Sequence, residues 1–328
     1  IVAPVTKYDV KADKGQTQLW LFSADGKQQT PLTAEGLRAS EATFSPDGKT
    51  LAFISQRDKD DAGQIYLLPM GKPGEAQRLT QVPTGVHGIK WVGKHLYFIS
   101  RVWPGKSWDE MSEQLKADKD KKVSARQWNA LPYSQFDHWI DENRQAHVFR
   151  IAASGGEVQA VTQPLGYELP RASQSASSYD IDSKEQYIAF TANGWDNQVD
   201  AKIDIFLARI GGDSAQNLTT DNQAPDANPS FSPDGKSLAF SRQRIHGFYA
   251  DTARLMVYDL AAKTSRELTT NWDRSVNNFI WSSDSRGFYS SIDDAATSRL
   301  YHIDAKNGKQ RAITKDTSFG RPALAGNN

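Results

Sequence analysis

The sequence predicts an all-β chain, folded as a β-propeller of four-stranded antiparallel blades. The prediction rests on a repeated apolar-Thr pair, a repeated turn sequence and the short apolar runs around that turn. The pair occurs six times, at Leu32-Thr33, Leu79-Thr80, Val161-Thr162, Leu218-Thr219, Leu268-Thr269 and Ile313-Thr314. Successive Thr residues are 47, 82, 57, 50 and 45 positions apart, and repeats of roughly 40 to 50 residues are typical of propeller blades. The long second interval predicts one insertion.

The turn sequence marks a hairpin in each repeat. It is clearest at Ser45-Pro46-Asp47-Gly48 and Ser232-Pro233-Asp234-Gly235, with weaker counterparts at Asp182-Ser183-Lys184 and Ser283-Asp284-Ser285. Ser at the first position, Pro at the second and Gly at the fourth are typical of a type I turn, in which Pro presets the backbone angle. We therefore expect each segment to form the tip of a hairpin between the first and second strands of a blade.

Short apolar runs supply the strands of each repeat. The expected first strands are 42–44, 89–91, 178–181, 229–231 and 279–281, and the expected second strands are 51–54, 96–99, 187–190, 238–240 and 287–289. The expected third strands are 19–22, 65–68, 148–151, 205–207, 255–258 and 300–303, and each fourth strand ends in the apolar-Thr pair. One such unit cannot bury both of its faces, whereas units stacked around an axis do so.

The two ends of the chain leave the number of blades open. Residues 1–5 have the pattern of a second strand and residues 321–325 that of a first strand, so the chain holds six sets of four strands. A closed six-bladed ring results if these two segments pair. A seven-bladed propeller results if a longer protein supplies the missing strands, and the turn-like ending at residues 326–328 favours such a truncation. No signal peptide follows Ile1, which indicates a processed or truncated chain.

The insertion is expected at about residues 101–146, between the second and third strands of one blade within a single domain, 1–328. Ser107 and Glu110 have the spacing of a capping box, which predicts the start of a helix. An apolar stripe on this helix would consist of Trp108, Met111 and Leu115. The stripe either packs on the propeller or, with Trp139, docks a second domain or gates an active site.

Composition and motifs exclude several classes of function. The 39 basic and 39 acidic residues give no net charge. The charge balance therefore does not predict binding to nucleic acid or to an anionic membrane. The absence of Cys removes disulfides, thiolate metal sites and cysteine nucleophiles. No Gly-x-Ser-x-Gly, His-Glu-x-x-His or P-loop motif occurs, and the six His residues lack the spacing of metal ligands. We expect no catalytic residues, no metal and no cofactor in this chain.

The repeats, and above all the insertion, resemble the propeller of the prolyl oligopeptidase family of serine peptidases. The resemblance within and after the insertion is carried by residues 122–128, Leu131-Pro132-Tyr133, Phe136-Asp137-His138-Trp139, Arg144 and His147-Val148-Phe149. The branch that the chain resembles comprises dipeptidyl peptidase 5-like and acylaminoacyl peptidase-like proteins. That branch commonly has Arg-His-Trp-Asp where this chain has Ser134-Gln135-Phe136-Asp137.

The resemblance implies a partner domain and a role for the propeller. The family carries its catalytic Ser, Asp and His on an α/β-hydrolase domain that follows the propeller. The propeller would then cap the active site, admit only small peptides and help to position the substrate amino end. We expect a periplasmic or secreted location, with a cytoplasmic one as the alternative. The alternative function is a free-standing periplasmic propeller that binds proteins, because Tol-system propellers have similar repeats.

Candidate substrate-binding residues are expected in the loops on the side of the insertion. The carboxylates of Glu168, Asp137 and Asp196 are candidates to pair with a substrate ammonium group, since a desolvated carboxylate pairs well with a cation. Trp195 and His138 each adjoin one of these residues in the sequence. An ordinary surface or turn role is the alternative for each residue.

Overall fold

The protein is a six-bladed β-propeller built from antiparallel sheets, as the sequence predicts. A computed structural model describes the chain except residues 58–59, 72–73, 124, 126, 129–133, 136, 141–142, 194–201, 316 and 325–328. The chain divides into two compact units. The first unit comprises residues 1–166 and 174–176, and the second comprises residues 167–173 and 177–328.

The first unit contains blades 1 to 3. Blade 1 consists of β1 (Val2–Asp9), β2 (Lys14–Phe22) and β3 (Gln29–Pro31), and blade 2 of β4 (Arg38–Phe44), β5 (Thr50–Gln56), β6 (Gln64–Pro69) and β7 (Gln77–Arg78). Blade 3 consists of β8 (His87–Val92), β9 (His95–Val102), β12 (Gln145–Ala152) and β13 (Gln159–Ala160). Between β9 and β12 lie α1 (Trp108–Lys119) and a two-stranded ribbon, β10 (Ser134–Gln135) and β11 (His138–Trp139).

The second unit contains blades 4 to 6. Blade 4 consists of β14 (Tyr179–Ile181), β15 (Tyr187–Asn193), β16 (Ile203–Arg209) and β17 (Ala215–Asn217), and blade 5 of β18 (Asp226–Phe231), β19 (Ser237–Arg242), β20 (Arg254–Asp259) and β21 (Thr264–Glu267). Blade 6 consists of β22 (Phe279–Trp281), β23 (Gly287–Asp294), β24 (Thr297–Asp304) and β25 (Gln310–Ala312). Two short 3-10 helices, Gln163–Leu165 and Ala176–Ser178, lie in the connection between blades 3 and 4.

The chain ends differ in how well they match the expected strands. β1 pairs with β2 along eight residue pairs, so residues 1–5 belong to a strand in the place expected for a second strand. Residues 321–324 are not in a strand, and Ala325 lies outside the described residues. Pro322 in this segment has no backbone N–H and is therefore a poor member of a strand ladder. Within the described residues, blade 1 accordingly has three strands.

The core of each unit is built mainly from the second and third strands of its blades. In β5, residues 51–55 are all buried, including residues of both faces. Continuous burial of this kind arises when a sheet is covered on both sides, as the stacking of blades requires. Large aromatic side chains such as Phe53, Phe98, Phe190 and Phe240 are completely or almost completely buried.

The apolar-Thr pair has the same hydrogen bonds in all six repeats. The Thr hydroxyl accepts a hydrogen bond of 2.9 to 3.0 Å from a backbone N–H of the third strand, and the preceding apolar residue donates its own N–H to the carbonyl of that same third-strand residue. The third-strand residues are Leu19, Ile65, Val148, Ile205, Leu255 and Leu300. The hydroxyl thus replaces the carbonyl that a longer fourth strand would supply.

The Ser-Pro-Asp-Gly turns also use a side chain to complete the hairpin. Ser45 Oγ donates to Asp47 Oδ1 at 2.6 Å and accepts from the backbone N–H of Thr50 at 2.9 Å. Ser232 makes the equivalent bonds at 2.7 and 2.9 Å. Ser282, in the weaker counterpart of blade 6, follows the same arrangement. The serine therefore orders both the turn and the start of the following strand.

One glycine is required by close packing between neighbouring blades. Gly308, in the turn between β24 and β25, has a φ of +71°, and a Cβ atom there would lie 2.0 Å from the carbonyl oxygen of Leu268. A φ in this range disfavours other residues even where space is available. At Gly308 the contact and the backbone conformation exclude a side chain together.

We expect Thr269→Val to destabilise the fold, because it removes the acceptor for the buried N–H of Leu255 while conserving the side-chain shape. An unsatisfied buried donor costs about 1 to 3 kcal/mol. Thr269→Ser, which keeps the hydroxyl, is the matched control. Thermal and urea unfolding should show a clearly lower midpoint for the Val variant than for the Ser variant, and equal midpoints would contradict the assigned role of the hydroxyl.

Candidate functional site

The helix of the insertion begins with the predicted capping box. Ser107 Oγ accepts from the backbone N–H of Glu110 at 3.3 Å, and Glu110 Oε2 accepts from the backbone N–H of Ser107 at 2.7 Å. These bonds lower the pKa of Glu110, since they stabilise its ionised form. The predicted helix is thus confirmed, and local hydrogen bonds cap its first turn.

The apolar stripe of α1 is divided between the blade and a cleft. Met111 is 3% exposed and belongs to the core cluster of blades 2 and 3. The Trp108 ring lies 5.3 Å from the ring of Phe149 in β12. Leu115, one turn further, lines a cleft instead. Of the predicted docking residues, Trp108 and Met111 therefore anchor the helix on the propeller.

The insertion carries a pair of tryptophans, one in β11 and one before the ribbon in the sequence. The rings of Trp128 and Trp139 lie 5.0 Å apart, and Trp128 Nε1 donates to the carbonyl oxygen of Ile140 at 2.6 Å. Ile140 is buried, whereas Trp139 is 57% exposed. The tryptophan pair thus contacts a buried residue, Ile140, through Trp128 and presents aromatic surface to solvent at Trp139.

Helix and ribbon enclose a cavity of about 660 Å³, which we call the insertion cleft. This volume lies within the range of about 300 to 1,000 Å³ that is usual for small-ligand sites. The described lining residues are Arg101, Trp103, Leu115, Asp118, Lys121, Val123, Ala125, Gln127, Trp128, Trp139, Ile140, Asn143 and Arg144. The cleft therefore combines aromatic surface with charges of both signs.

The charged groups of the cleft are arranged in local pairs. The Lys121 ammonium lies 2.5 Å from Asp118 Oδ1 and lowers the pKa of that carboxyl group. Gln114 donates to the same oxygen at 3.1 Å. The Arg144 guanidinium lies 5.3 Å from the centre of the Trp103 ring, within the range of a cation–π contact. A surface of this kind can contact both the backbone and the apolar side chains of a short peptide.

Glu168, one of the predicted ammonium anchors, has a well-defined local partner. Its Oε1 accepts from Arg171 Nε at 2.8 Å, and its Oε2 is buried with no hydrogen-bond partner in the described part of the chain. Arg171 Nη1 is likewise buried and has no hydrogen-bond partner among the described residues. The neighbouring Tyr167 ring packs 4.4 Å from the ring of Phe206 in β16. One carboxylate oxygen is thus available to a ligand, next to a cation that partly neutralises its charge.

The other predicted substrate residues belong only in part to the described structure. Asp137 is exposed between β10 and β11. The backbone of His138 pairs with Gln135 in the ribbon, but its side chain is not among the described parts. Trp195 and Asp196 lie outside the described residues. Their role in binding stays a prediction.

A partly buried charge network at the end of blade 5 is not predicted from the sequence. Arg242 donates from Nε to Asp226 Oδ1 at 2.7 Å and from both terminal nitrogens to Asp221 at 2.9 and 3.0 Å. Asn222 donates to the second oxygen of Asp226 at 3.1 Å. Burial nevertheless raises the pKa of Asp226 to about 6, and Arg242 opposes this effect only in part. Each residue is ordinary in the sequence, and only folding assembles the network.

We expect the stability of the protein to depend on pH through Asp226. The folded pKa lies above the ordinary value of 3.8, so the folded state binds the proton more tightly than the unfolded state. The resulting stabilisation is complete below about pH 4 and is lost as the pH rises through about 6. Relative to Asp226→Asn, the wild type should gain about 2 kcal/mol of unfolding free energy between pH 7.5 and pH 4.5. Urea unfolding at several pH values measures this difference.

Asp221→Asn is the matched control for this pH dependence. The hydrogen bonds from Arg242 lower the pKa of Asp221 below 3.8, so this carboxyl group stays ionised over the same pH range. The stability difference between Asp221→Asn and the wild type should then be nearly constant from pH 7.5 to pH 4.5. A constant difference for Asp226→Asn as well would contradict the raised pKa of Asp226.

Two other kinds of site are absent from the described residues. No group of three or more His, Cys, Asp or Glu side chains there is placed to hold a metal ion. No helix in that part of the chain has the length and apolar character needed to cross a bilayer.

Comparison with known proteins identifies the relatives of the chain. No protein-family model matches it. Dipeptidyl-peptidase 5 of Porphyromonas gingivalis is 26% identical over 317 residues, which are 94% of this chain and 45% of that protein. The chain is homologous to the propeller part of dipeptidyl-peptidase 5 proteins. The resemblance to the prolyl oligopeptidase family is thereby confirmed, and the chain spans less than half the length of this relative.

Solved structures agree on the fold of this dipeptidyl-peptidase 5-like propeller. The acylaminoacyl peptidase of Pyrococcus horikoshii matches 96% of the chain over 44% of its own length, with a TM-score of 0.68 and 16% identity. The β-propeller domain of the Trilobed protease from Pyrococcus furiosus matches 96% of the chain and 80% of that domain, with a TM-score of 0.62 and 15% identity. TolB from Acinetobacter baumannii matches 98% of the chain and 65% of its own length, with a TM-score of 0.58 and 14% identity.

Proposed function

We propose that the chain is the non-catalytic propeller of a serine exopeptidase of the dipeptidyl or acylaminoacyl type. This proposal rests mainly on one observation: 94% of this chain aligns with only 45% of dipeptidyl-peptidase 5. In a protein of that length, the remainder has room for an α/β-hydrolase domain. That domain would carry the catalytic Ser, Asp and His, and the propeller would cap its active site.

The insertion cleft is the proposed contact with peptide substrates. Its volume is suited to a small ligand rather than to a folded protein. Trp139 and Leu115 offer apolar contacts, and the charged groups of Asp118, Lys121 and Arg144 offer partners to backbone or terminal charges. Binding a peptide before hydrolysis lowers KM when the contacts are the same in the ground and transition states. The cleft would therefore act mainly on affinity for short peptides.

Glu168 is the proposed anchor for the substrate amino end. Its buried Oε2 lacks a partner among the described residues, and a charge-assisted hydrogen bond to an ammonium group would satisfy it. The pairing of Oε1 with Arg171 fixes the carboxylate in one orientation. We also propose a periplasmic or secreted location, as expected for an exopeptidase that acts on peptides outside the cytoplasm.

A free-standing propeller that binds proteins is the second candidate function. The similarity to TolB favours it, with a TM-score of 0.58 over 98% of the chain. The intact mass of the native protein, or the reading frame beyond Asn328, distinguishes the two functions. A continuation that contains Gly-x-Ser-x-Gly supports the exopeptidase propeller, and a stop codon directly after this chain supports the binding module.

We expect Trp139→Ala in the full-length protein to raise KM for short peptide substrates several-fold, because it removes exposed aromatic surface from the insertion cleft. kcat should change little, since the reacting groups lie on the other domain. Phe44→Ala, at a partly exposed aromatic residue next to a hairpin tip, is the control. Steady-state kinetics with dipeptide chromogenic substrates measures both values. Equal KM values for the Trp139 variant and the wild type would show that the cleft does not contribute to substrate binding.

We expect Glu168→Gln to raise KM by about tenfold for substrates with a free amino terminus, because an ion-assisted hydrogen bond is worth about 1.5 to 3 kcal/mol. Substrates with an acylated amino terminus should be unaffected by this change. Glu157→Gln, at an exposed carboxylate in the turn between β12 and β13, is the matched control. The same loss for both substrate types would show that Glu168 acts on structure rather than on the substrate ammonium.

A further inference from the structure

A second, smaller cavity lies in the first unit, beside blades 1 and 2. It has a volume of about 250 Å³ and shares no lining residue with the insertion cleft. Four large apolar side chains line it: Leu32, Leu37, Phe53 and Leu68. A cavity slightly smaller than the usual range for ligand sites admits only a small molecule. We call it the Arg57 cavity, after the cation that lines it.

Two buried polar atoms in the lining have no hydrogen-bond partner within the described residues. One is the hydroxyl Oγ of Ser55, a residue that is 2% exposed, and the other is Nε of Arg57. Phe53, Ser55 and Arg57 alternate along β5 and its extension, so they belong to one face of the strand. A buried donor without a partner is unfavourable. The cavity thus combines an apolar surface with two unsatisfied polar atoms.

The Arg57 guanidinium is held in place without a carboxylate partner. Its Cζ lies 4.3 Å from the centre of the Tyr66 ring, and its Nη1 makes a long hydrogen bond of 3.4 Å to the carbonyl of Ala76. In the described part of the chain, no carboxylate lies within salt-bridge distance of it. A cation that is partly removed from water is stabilised by pairing with an anion.

Asp60, in the following loop, is already engaged with other groups. Its Oδ2 accepts from the Tyr66 hydroxyl at 2.6 Å and from the backbone N–H of Arg57 at 3.0 Å. Its Oδ1 pairs with Arg78 at 2.8 Å. These bonds orient Tyr66 and the backbone at Arg57, and they engage both oxygens of the Asp60 carboxylate.

We propose that the Arg57 cavity binds a small monocarboxylate with a short apolar chain. One carboxylate can accept from Arg57 Nε and from the Ser55 hydroxyl, and its chain can contact Phe53 and the leucines. The ligand satisfies both buried donors and removes apolar surface from water. Glu75 also lines the cavity but is exposed, so solvent weakens its repulsion of the ligand.

Hexanoate is the probe that tests this proposal, with hexylamine and hexanol as probes of the same chain length and different charge. Ligand-observed NMR titration of the purified chain should show binding of hexanoate at least tenfold tighter than that of either control. A short fatty acid and the carboxyl end of an apolar peptide share the proposed chemistry, and a parallel titration with N-acetylleucine shows which of the two the cavity prefers. Failure of both carboxylates to bind overturns the proposal.

Variants of the lining locate the binding. Arg57→Gln should weaken hexanoate binding by about tenfold or more, and Ser55→Ala by several-fold. Glu75→Gln should tighten binding, because it removes a negative charge. Arg209→Gln is the matched control, since Arg209 also lies over a tyrosine ring, Tyr187, at 5.8 Å but in another blade. Unchanged binding by the Arg57 variant overturns the proposal.

A third kind of variant keeps the test independent of the stability of the Arg57 variant. Ala34 is exposed and lines the cavity, so Ala34→Phe can occupy the space without changing any polar group. Hexanoate binding should be lost in Ala34→Phe while its unfolding temperature stays close to that of the wild type. Retention of full binding by this variant overturns the proposal even if Arg57→Gln does not fold.

Discussion

The hydrogen bond from the third strand to the threonine hydroxyl is the constraint on which each blade depends. Fourth strands in this protein are short, two to four residues, and cannot continue the ladder of the longer third strand. The hydroxyl satisfies the next buried N–H at the point where the chain turns towards the following blade. Because this bond recurs in every repeat, it determines where the connecting loops begin.

The insertion cleft depends on that scaffold. β9 and β12 pair over eight consecutive residues and support both ends of the insertion. Met111 and Trp108 fasten α1 to the core of the blade, so Leu115 lines the cleft rather than the interior. Trp128, which precedes the ribbon, donates to the carbonyl oxygen of Ile140, the buried residue that follows β11. Loops mounted on rigid strands in this way are the usual place for recognition.

The contrast between two arginines shows how the same scaffold serves both structure and binding. Arg242 and Arg57 both lie at the end of the second strand of a blade. Arg242 pairs with Asp226 and Asp221, so its charge is compensated within the protein. Arg57 has an aromatic ring and one backbone carbonyl instead. A charge without a carboxylate partner among the described residues is available to a ligand, and the positions of the neighbouring carboxylates are needed to see this difference.

The sequence by itself determined the propeller fold, the hairpin turns and the start of α1, because each depends on residues close together in the chain. Ser45 with Asp47 and Ser107 with Glu110 interact within a few residues, and the repeat length follows from the threonines. Only the tertiary structure decided that Met111 is buried while Leu115 lines a cleft, and that Ser55 and Arg57 share a cavity with Leu32. Those relations join residues from different strands and loops, and the packing of one blade against the next sets the space between them.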